Sequence, residues 1–321
     1  MEHRMKNQYV NALQEGDYVN DYFIATRRDL RTKQDGKNFL GMAFRDKTGE
    51  IGGVMWQNAN ETARIYEPGA VVNVRGRVNR YQNRLQIQVD QILPLKEMDY
   101  NLADLIARSE SADEDIQGFK ALLASIRHPQ LRALVDAFLA DAQFMAEFTQ
   151  AAAGTKWHHE YRGGLLRHCY EMARIAETLC EILPEIDRDL LLAGVFLHDI
   201  GKLREMSHDL NVDYTDEGKL LGHLQIGCAM AEEKMKAIPN FPEHLRLQIL
   251  HFILSHHGEH ELGAAVLPKT LEAIVLHHID NLDAQASAIS RIIRETREKR
   301  MDWSEFLPKL NRVIWSRGGS Q

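Results

Sequence analysis

Long apolar runs are missing from this 321-residue chain. The longest, Leu190 to Leu197, has eight residues, against the ~20 that a helix crossing a bilayer needs. The N-terminus, MEHRMKNQ, lacks the apolar stretch of a secretory signal, so a soluble, cytoplasmic protein without a membrane partner is expected. Cysteine is scarce as well: Cys169, Cys180 and Cys228 form no CxxC pair and are too few for a disulfide framework, which fits a reducing compartment. There is no G-x-S-x-G elbow, no G-x-x-x-x-G-K-[ST] phosphate loop and no HExxH helix, so the common serine-hydrolase, phosphate-loop and zincin plans fall away.

Acidic residues are absent between Pro68 and Val89, and that local gap belongs to a wider asymmetry. The chain carries 39 Lys+Arg and 46 Asp+Glu, net −7, yet residues 1–96 hold 15 and 11, leaving 24 and 35 for the remainder. The first part is therefore basic and the second strongly acidic, which points to different tasks. Histidine is just as uneven, with 13 of 15 between His158 and His278. Chemistry is to be sought there.

From Asp17 to Leu95 short alternating runs are broken by turn signals such as Asp35-Gly36, Asp46-Lys47-Thr48-Gly49 and Glu67-Pro68-Gly69. Val72 to Val78 and Leu85 to Val89 alternate cleanly about a turn at Tyr81 to Arg84. Five or so strands, with a short helical stretch near Asn58 to Tyr66, predict a small OB-type barrel, with a sandwich as the competing all-β plan. Residues 97–115 read as an acidic linker. Beyond them helical periodicity dominates to the C-terminus, as in Leu165, Cys169, Met172, Ala176 and Leu179, and helices are expected around Trp303 to Trp315. Ser207 to Lys219 reads as a small hairpin inserted between helices.

The sharpest local signal is Leu197-His198-Asp199-Ile200-Gly201-Lys202, a nitrogen and an oxygen donor together at the end of an apolar helix. Alone it is as compatible with a capped core histidine as with a metal. His168 lies on an earlier helix and Asp280 on a later one, and the four form a mixed imidazole and carboxylate set suited to Mn²⁺, Fe²⁺, Zn²⁺ or a Mg²⁺/Mn²⁺ pair. His223 and the His256-His257 pair stand at element ends between them and could hold a second ion. Lys202 could reach a substrate phosphate or form a structural salt bridge.

The order His, His-Asp, Asp is similar to the signature of the HD-domain metal-dependent phosphohydrolases. His158 to His168, HDIGK at 198–202, Gly218 to His223, SHHG at 255–258 and Glu272 to Asp280 more specifically resemble the YhaM family of 3′–5′ exoribonucleases. An OB-fold ahead of an HD domain is also that family's architecture. The resemblance implies a multidomain α and β fold: residues 1–96 an all-β OB-type barrel binding single strands, and residues 116–321 an all-α HD-type domain carrying the small hairpin insertion. It implies His168, His198, Asp199 and Asp280 as core ligands, with Asp199 bridging two ions. His223, His256 and His257 would serve a second ion or the phosphate, and Asp199 and Lys202 would be catalytic. One or two divalent ions per chain are expected, Mn²⁺ first, with Mg²⁺, Fe²⁺, Co²⁺ or Zn²⁺ as alternatives. His158 and His159 are candidates to orient substrate or cap a helix, and His277 to support Asp280 from the same helix face. His208, His244, His251 and His260 read as surface or structural residues.

Arg27, Arg28, Arg31, Lys33 and Lys37 cluster before Phe39, and Arg75, Arg77, Arg80 and Arg84 surround Tyr81. Cations beside exposed rings such as Phe39, Phe44, Trp56 and Tyr81 hold single strands, phosphates on the charges and bases on the rings. The plainer alternative has Phe44 and Trp56 filling the barrel and the arginines keeping it soluble. The expected activity is metal-dependent 3′–5′ hydrolysis of single-stranded RNA to 5′-mononucleotides, with single-stranded DNA as a second substrate and a homo-oligomer left open. The rivals are a phosphohydrolase of free nucleotides or cyclic dinucleotides, and a non-enzymatic single-strand binding protein.

Overall fold

The alternating N-terminal runs form five strands in the computed structural model, which describes residues 5–33, 36–106, 112–153, 163–207, 213–308 and 310–317. They are β1 (Tyr18–Thr32), β2 (Asn38–Asp46), β3 (Gly49–Met55), β4 (Val71–Tyr81) and β5 (Arg84–Pro94), with a one-turn helix α1 (Ala59–Thr62) between β3 and β4. The strands close in the order β1-β2-β3-β5-β4, with only the β3–β5 pairing parallel. Closure removes the exposed edges that a sandwich would leave.

Side-chain alternation sets what the barrel keeps and what it shows. Val72, Val74 and Val78 of β4 point inward with Leu40, Met42 and Phe44 of β2 and Ile87 of β5, while Arg75 and Arg77 stay on the outside. Burying each large apolar side chain contributes about 1.5–3 kcal/mol. The β4–β5 turn uses Gln82 and Asn83, both at positive φ (47° and 63°), the backbone that a tight two-residue hairpin requires. Of residues 97–115, Tyr100 and Leu105 bury against Tyr22, Ile24 and Val71. Helix α2 (Ala112–Ala124) also begins within that stretch.

The chain divides into two compact units, the second starting at residue 109. That unit is helical: α2, α3 (Pro129–Leu139), α4 (Ala142–Phe148), α5 (Gly164–Ile182), α6 (Arg188–Leu197), α7 (Lys202–Glu205), α8 (Asp216–Lys236), α9 (Glu243–Ser255) and α10 (Leu271–Glu298). The apolar run Leu190 to Leu197 is α6 itself, buried on every side, and Asp187 caps its start by accepting from the Leu190 amide. Phe196 sits among Phe119, Phe138, Phe144 and Phe148 at centroid distances of 5.5–6.0 Å, edge to face. A helix so enclosed has no face left to yield, so the residues that follow it are delivered to a fixed place. Among the described residues no helix is long and apolar enough to cross a membrane.

Two expectations need correction. The inserted hairpin is shorter than the sequence suggests: Asp216 to Lys219 are the first turn of α8, capped by Thr215, which accepts from the Gly218 amide. One antiparallel bridge, Met206 to Tyr214, flanks residues outside the described set. The segment from Trp303 to Trp315 is not helical; it folds back on itself through bridges Trp303–Trp315 and Leu307–Arg312. Pro308 removes a helix donor, and Asn311, at φ 51°, reverses the chain. Trp303, Phe306 and Trp315 remain more than half exposed.

Candidate metal centre and nucleic-acid surface

Five helical elements bring the histidine and aspartate candidates together. α5 supplies His168, the turn after α6 supplies His198 and Asp199, α8 supplies His223, the end of α9 leads into His256 and His257, and α10 supplies Asp280. Among the described residues three groups have ligand atoms within 4.8 Å of one another: His168, His198 and Asp280; His198, Asp199 and His256; His223, His256 and His257. Asp199 links them through two oxygens. Its Oδ2 lies 3.3 Å from His198 Nε2, and its Oδ1 lies 3.4 Å from His256 Nε2 and 3.7 Å from His223 Nε2.

Each ring is oriented from behind. Nδ1 of His198 donates to the Val195 carbonyl and Nδ1 of His256 to the Ile253 carbonyl, each at 2.9 Å. A carbonyl only accepts, so the proton is on Nδ1 and a neutral ring turns the Nε2 lone pair inward. His168 donates Nδ1 to Asp283 at 2.6 Å, and its Nε2 faces Asp280 Oδ1 at 3.2 Å. At His198 and His256 the Nε2 atoms thus face carboxylate oxygens, and His198 Nε2, His256 Nε2 and Asp199 Oδ1 are buried without a hydrogen-bond partner. Such a set is electrostatically frustrated until a cation enters it. Hard oxygens mixed with imidazole nitrogens fit a divalent first-row ion.

The protonation states agree. Burial alone would raise the Asp199 carboxyl, but Lys202 and the neighbouring imidazoles hold it well below the usual range. Burial would lower His168, yet Asp280 and Asp283 outweigh it and bring the ring up to about 9, a proton standing where positive charge is wanted. Burial takes His257 down to about 3 and also lowers His256, keeping both rings neutral and able to ligate. Lys202 Nζ lies 2.5 Å from Asp199 Oδ2, the salt bridge that is one of its two expected roles.

Residues 165–285 match the HD domain family, and residues 24–95 match the OB-fold nucleic acid binding domain family. The chain is 34% identical over 280 residues to the 3′-5′ exoribonuclease YhaM of Shouchella clausii (strain KSM-K16), covering 87% of each chain. It is 33% identical over 288 residues to the YhaM of Bacillus subtilis (strain 168), covering 88% of this chain and 90% of that one. The YhaM of Geobacillus sp. (strain WCH70) is 33% identical over 88% of this chain and 87% of its own. The chain belongs to the YhaM 3′-5′ exoribonuclease family.

On the barrel of this YhaM-family chain, the expected nucleic-acid residues fall into two sets. Phe39 on β2 packs against Trp56 with ring centroids 5.1 Å apart, and Lys33 lies over the Trp56 ring at 4.0 Å. Arg31, opposite Phe39 in the β1–β2 pairing, is held by Asp29 at 3.1 Å, and Lys37 is exposed in the loop between those strands. Trp56 is 44% exposed, so it does not fill the barrel. Phe44 does: it is fully buried, and of the rings considered it leaves the surface. In the second set Arg75 donates to Asn20 and Gln91, Arg80 pairs with Glu15, and Arg77, Tyr81 and Arg84 are exposed. The β1–β2 and β4–β5 connections and the β2–β3 face are where OB barrels take up oligonucleotides.

The remaining histidines sort by partner. His277 donates Nδ1 to the His256 carbonyl at 2.8 Å, so it supports the His256 loop rather than Asp280. His260 donates to Ala264, His251 accepts from the Lys269 amide, and His244 is exposed. His158, His159 and His208 lie outside the described residues. Sequence reading missed Asp283 and Glu205. Asp283 carried a signal, three residues beyond Asp280 on one helix and hence on the same face; Glu205 carried only its place in the HDIGKLRE run.

Proposed function

We propose that this enzyme hydrolyses single-stranded RNA from its 3′ end, releasing 5′-mononucleotides, with one or two divalent ions, Mn²⁺ foremost, held by its His and Asp cluster. The observation that carries this reading is the convergence of the backbone-oriented Nε2 atoms of His198 and His256 on the two oxygens of Asp199. The first ion would be held by His168, His198, Asp199 and Asp280, the second by Asp199, His223, His256 and His257. When bound, such ions lower the pKa of a water and clamp the phosphate.

The chain's own groups do the rest. Lys202, charged and anchored on Asp199, stands ready to neutralise a phosphate oxygen as negative charge develops there. Asp283 and the carbonyls of Val195 and Ile253 take the Nδ1 hydrogens of His168, His198 and His256 and so turn each Nε2 into the cluster. The barrel's cations take phosphates, and the Phe39–Trp56 pair offers a stacking platform for a base. An enzyme for free nucleotides would have no use for such a surface.

Incubating 5′-labelled and 3′-labelled RNA oligomers with the protein and Mn²⁺ tests the proposal. A stepwise ladder from the 5′ label, with immediate mononucleotide from the 3′ label, is expected. Internal fragments from both labels, or no cleavage with any of Mn²⁺, Mg²⁺, Fe²⁺, Co²⁺ and Zn²⁺, would refute it.

A further inference from the structure

Glu205 ends α7, seven residues beyond His198, and is buried. It is not a member of the groups whose ligand atoms converge among the described residues. Its Oε1 nevertheless accepts two hydrogen bonds from His223, one from the backbone amide and one from Nδ1, each 3.0 Å long.

The local backbone explains why two bonds end on one oxygen. Helix α8 is broken at Gly222, whose φ of 71° and ψ of 158° only glycine adopts easily, so His223 opens a new helical stretch. The amides at such a start have no helical carbonyl to bond, and Glu205 caps the His223 amide from another element. Glu205 is itself pinned. Its carbonyl accepts from the Thr215 amide, and its amide donates to the Gly201 carbonyl. On the other side, a Cβ at Gly201 would fall 1.9 Å from the His223 carbonyl oxygen, so the turn after His198-Asp199 packs directly on the His223 backbone.

We propose that Glu205 is a positioning residue for the hydrolytic reaction: it holds His223 with the proton on Nδ1 and Nε2 turned toward Asp199 and His257. This rests on the reading of His223 as a ligand of the second ion. A carboxylate accepts the Nδ1 hydrogen and so leaves the lone pair on Nε2, which lies 3.7 Å from Asp199 Oδ1 and 3.1 Å from His257 Nε2. The same oxygen fixes the backbone from which the ring projects, so ring and main chain are set together. Carboxylate partners of this kind raise metal affinity by about 10–100-fold.

Two readouts on the full chain test it. Long-range proton–nitrogen correlation spectra of the metal-free protein should show His223 protonated on Nδ1 in wild type, and a mixture of tautomers in Glu205→Ala. Mn²⁺ titration followed by electron paramagnetic resonance should show second-ion affinity lowered by about 10–100-fold in Glu205→Ala, with first-ion affinity kept. Glu205→Gln, whose amide oxygen still accepts, should recover most of both. An unchanged tautomer, or equal loss of both ions in Glu205→Ala, would overturn the positioning role. Full retention of two ions by His223→Ala would instead overturn the ligand reading beneath it, leaving the tautomer result standing.

Discussion

His168 hands its Nδ1 hydrogen to Asp283 across 2.6 Å, between two residues 115 positions apart in the sequence. The ring is wholly buried, so Asp283 and not bulk water receives that hydrogen. Asp283→Ala should therefore weaken Mn²⁺ binding by about 10–100-fold although no proposed ligand is itself replaced. Calorimetric titration of the metal-free protein measures this, and an unchanged dissociation constant would count against the orientation of His168 by Asp283.

Asp199 faces His198 with one oxygen and His256 with the other, so its loss should remove what both ions share. Asp199→Ala is expected to abolish hydrolysis while leaving helical content and RNA binding near wild type. His256→Ala should reduce metal content by about one ion per chain in a dinuclear site. Elemental analysis of both variants decides it: an unchanged ion count in His256→Ala would return that ring to a structural role.

Lys202 lies 2.5 Å from Asp199 and is held protonated by it in spite of burial. If its second partner is the reacting phosphate, Lys202→Ala should lower kcat on the order of 10²-fold with metal content kept. Metal lost in step with activity would mean that the lysine serves the ligand alone.

The barrel offers stacking at Trp56 and charge along β4. Trp56→Ala should weaken binding of single-stranded RNA by about 1–3 kcal/mol. Changing Arg75, Arg77, Arg80 and Arg84 together to Ala should reduce the slope of log K against log salt by roughly 0.7 per phosphate contact, near 3 in all. Anisotropy titrations of metal-free protein at several salt concentrations provide both numbers, and a slope that does not move would leave the arginines as solubilising charges.

Acid should act on the barrel through Asp104. Burial favours its neutral form, but hydrogen bonds from Tyr9 (2.7 Å) and Tyr22 (2.8 Å) and the charge of Lys47 hold its carboxyl below the ordinary value. A depressed carboxyl stabilises the fold above its unfolded pKa of about 3.9 and loses that stabilisation as pH falls through the folded value. Asp104→Asn should thus be less stable than wild type near neutrality, with the difference shrinking below about pH 4. Urea unfolding at pH 6 and pH 3 checks the sign; a gap that widens in acid would contradict it.

What could be read beforehand followed from local constraint. Leu40, Met42 and Phe44 share a parity on β2, and Phe39 has the other, so alternation already separates core ring from surface ring. His168, His198, Asp199 and Asp280 stand out because few tasks other than metal binding call for imidazole and carboxylate together in that order along the chain. Glu205 and Asp283 did not stand out, because any acidic residue can serve as a partner and only the packing of α7 on α8 or α5 on α10 selects one. The C-terminal segment misled for a related reason. Trp303, Phe306, Leu307 and Leu310 carry helical spacing, and two backbone residues, Pro308 and Asn311, override it.

The spread of the proposed ligands from His168 to Asp280 has a consequence during synthesis. Domains fold as units, N-terminal first, as the chain leaves the ribosome. The strand-rich barrel completes its closure with β5, at Pro94, while every histidine and aspartate of the metal cluster is still to come. Asp280, on α10, is made only after α5, α6, α8 and α9 exist to meet it. A half-made chain therefore carries the barrel without the residues proposed to cut, and any hydrolysis has to wait until the second unit is complete.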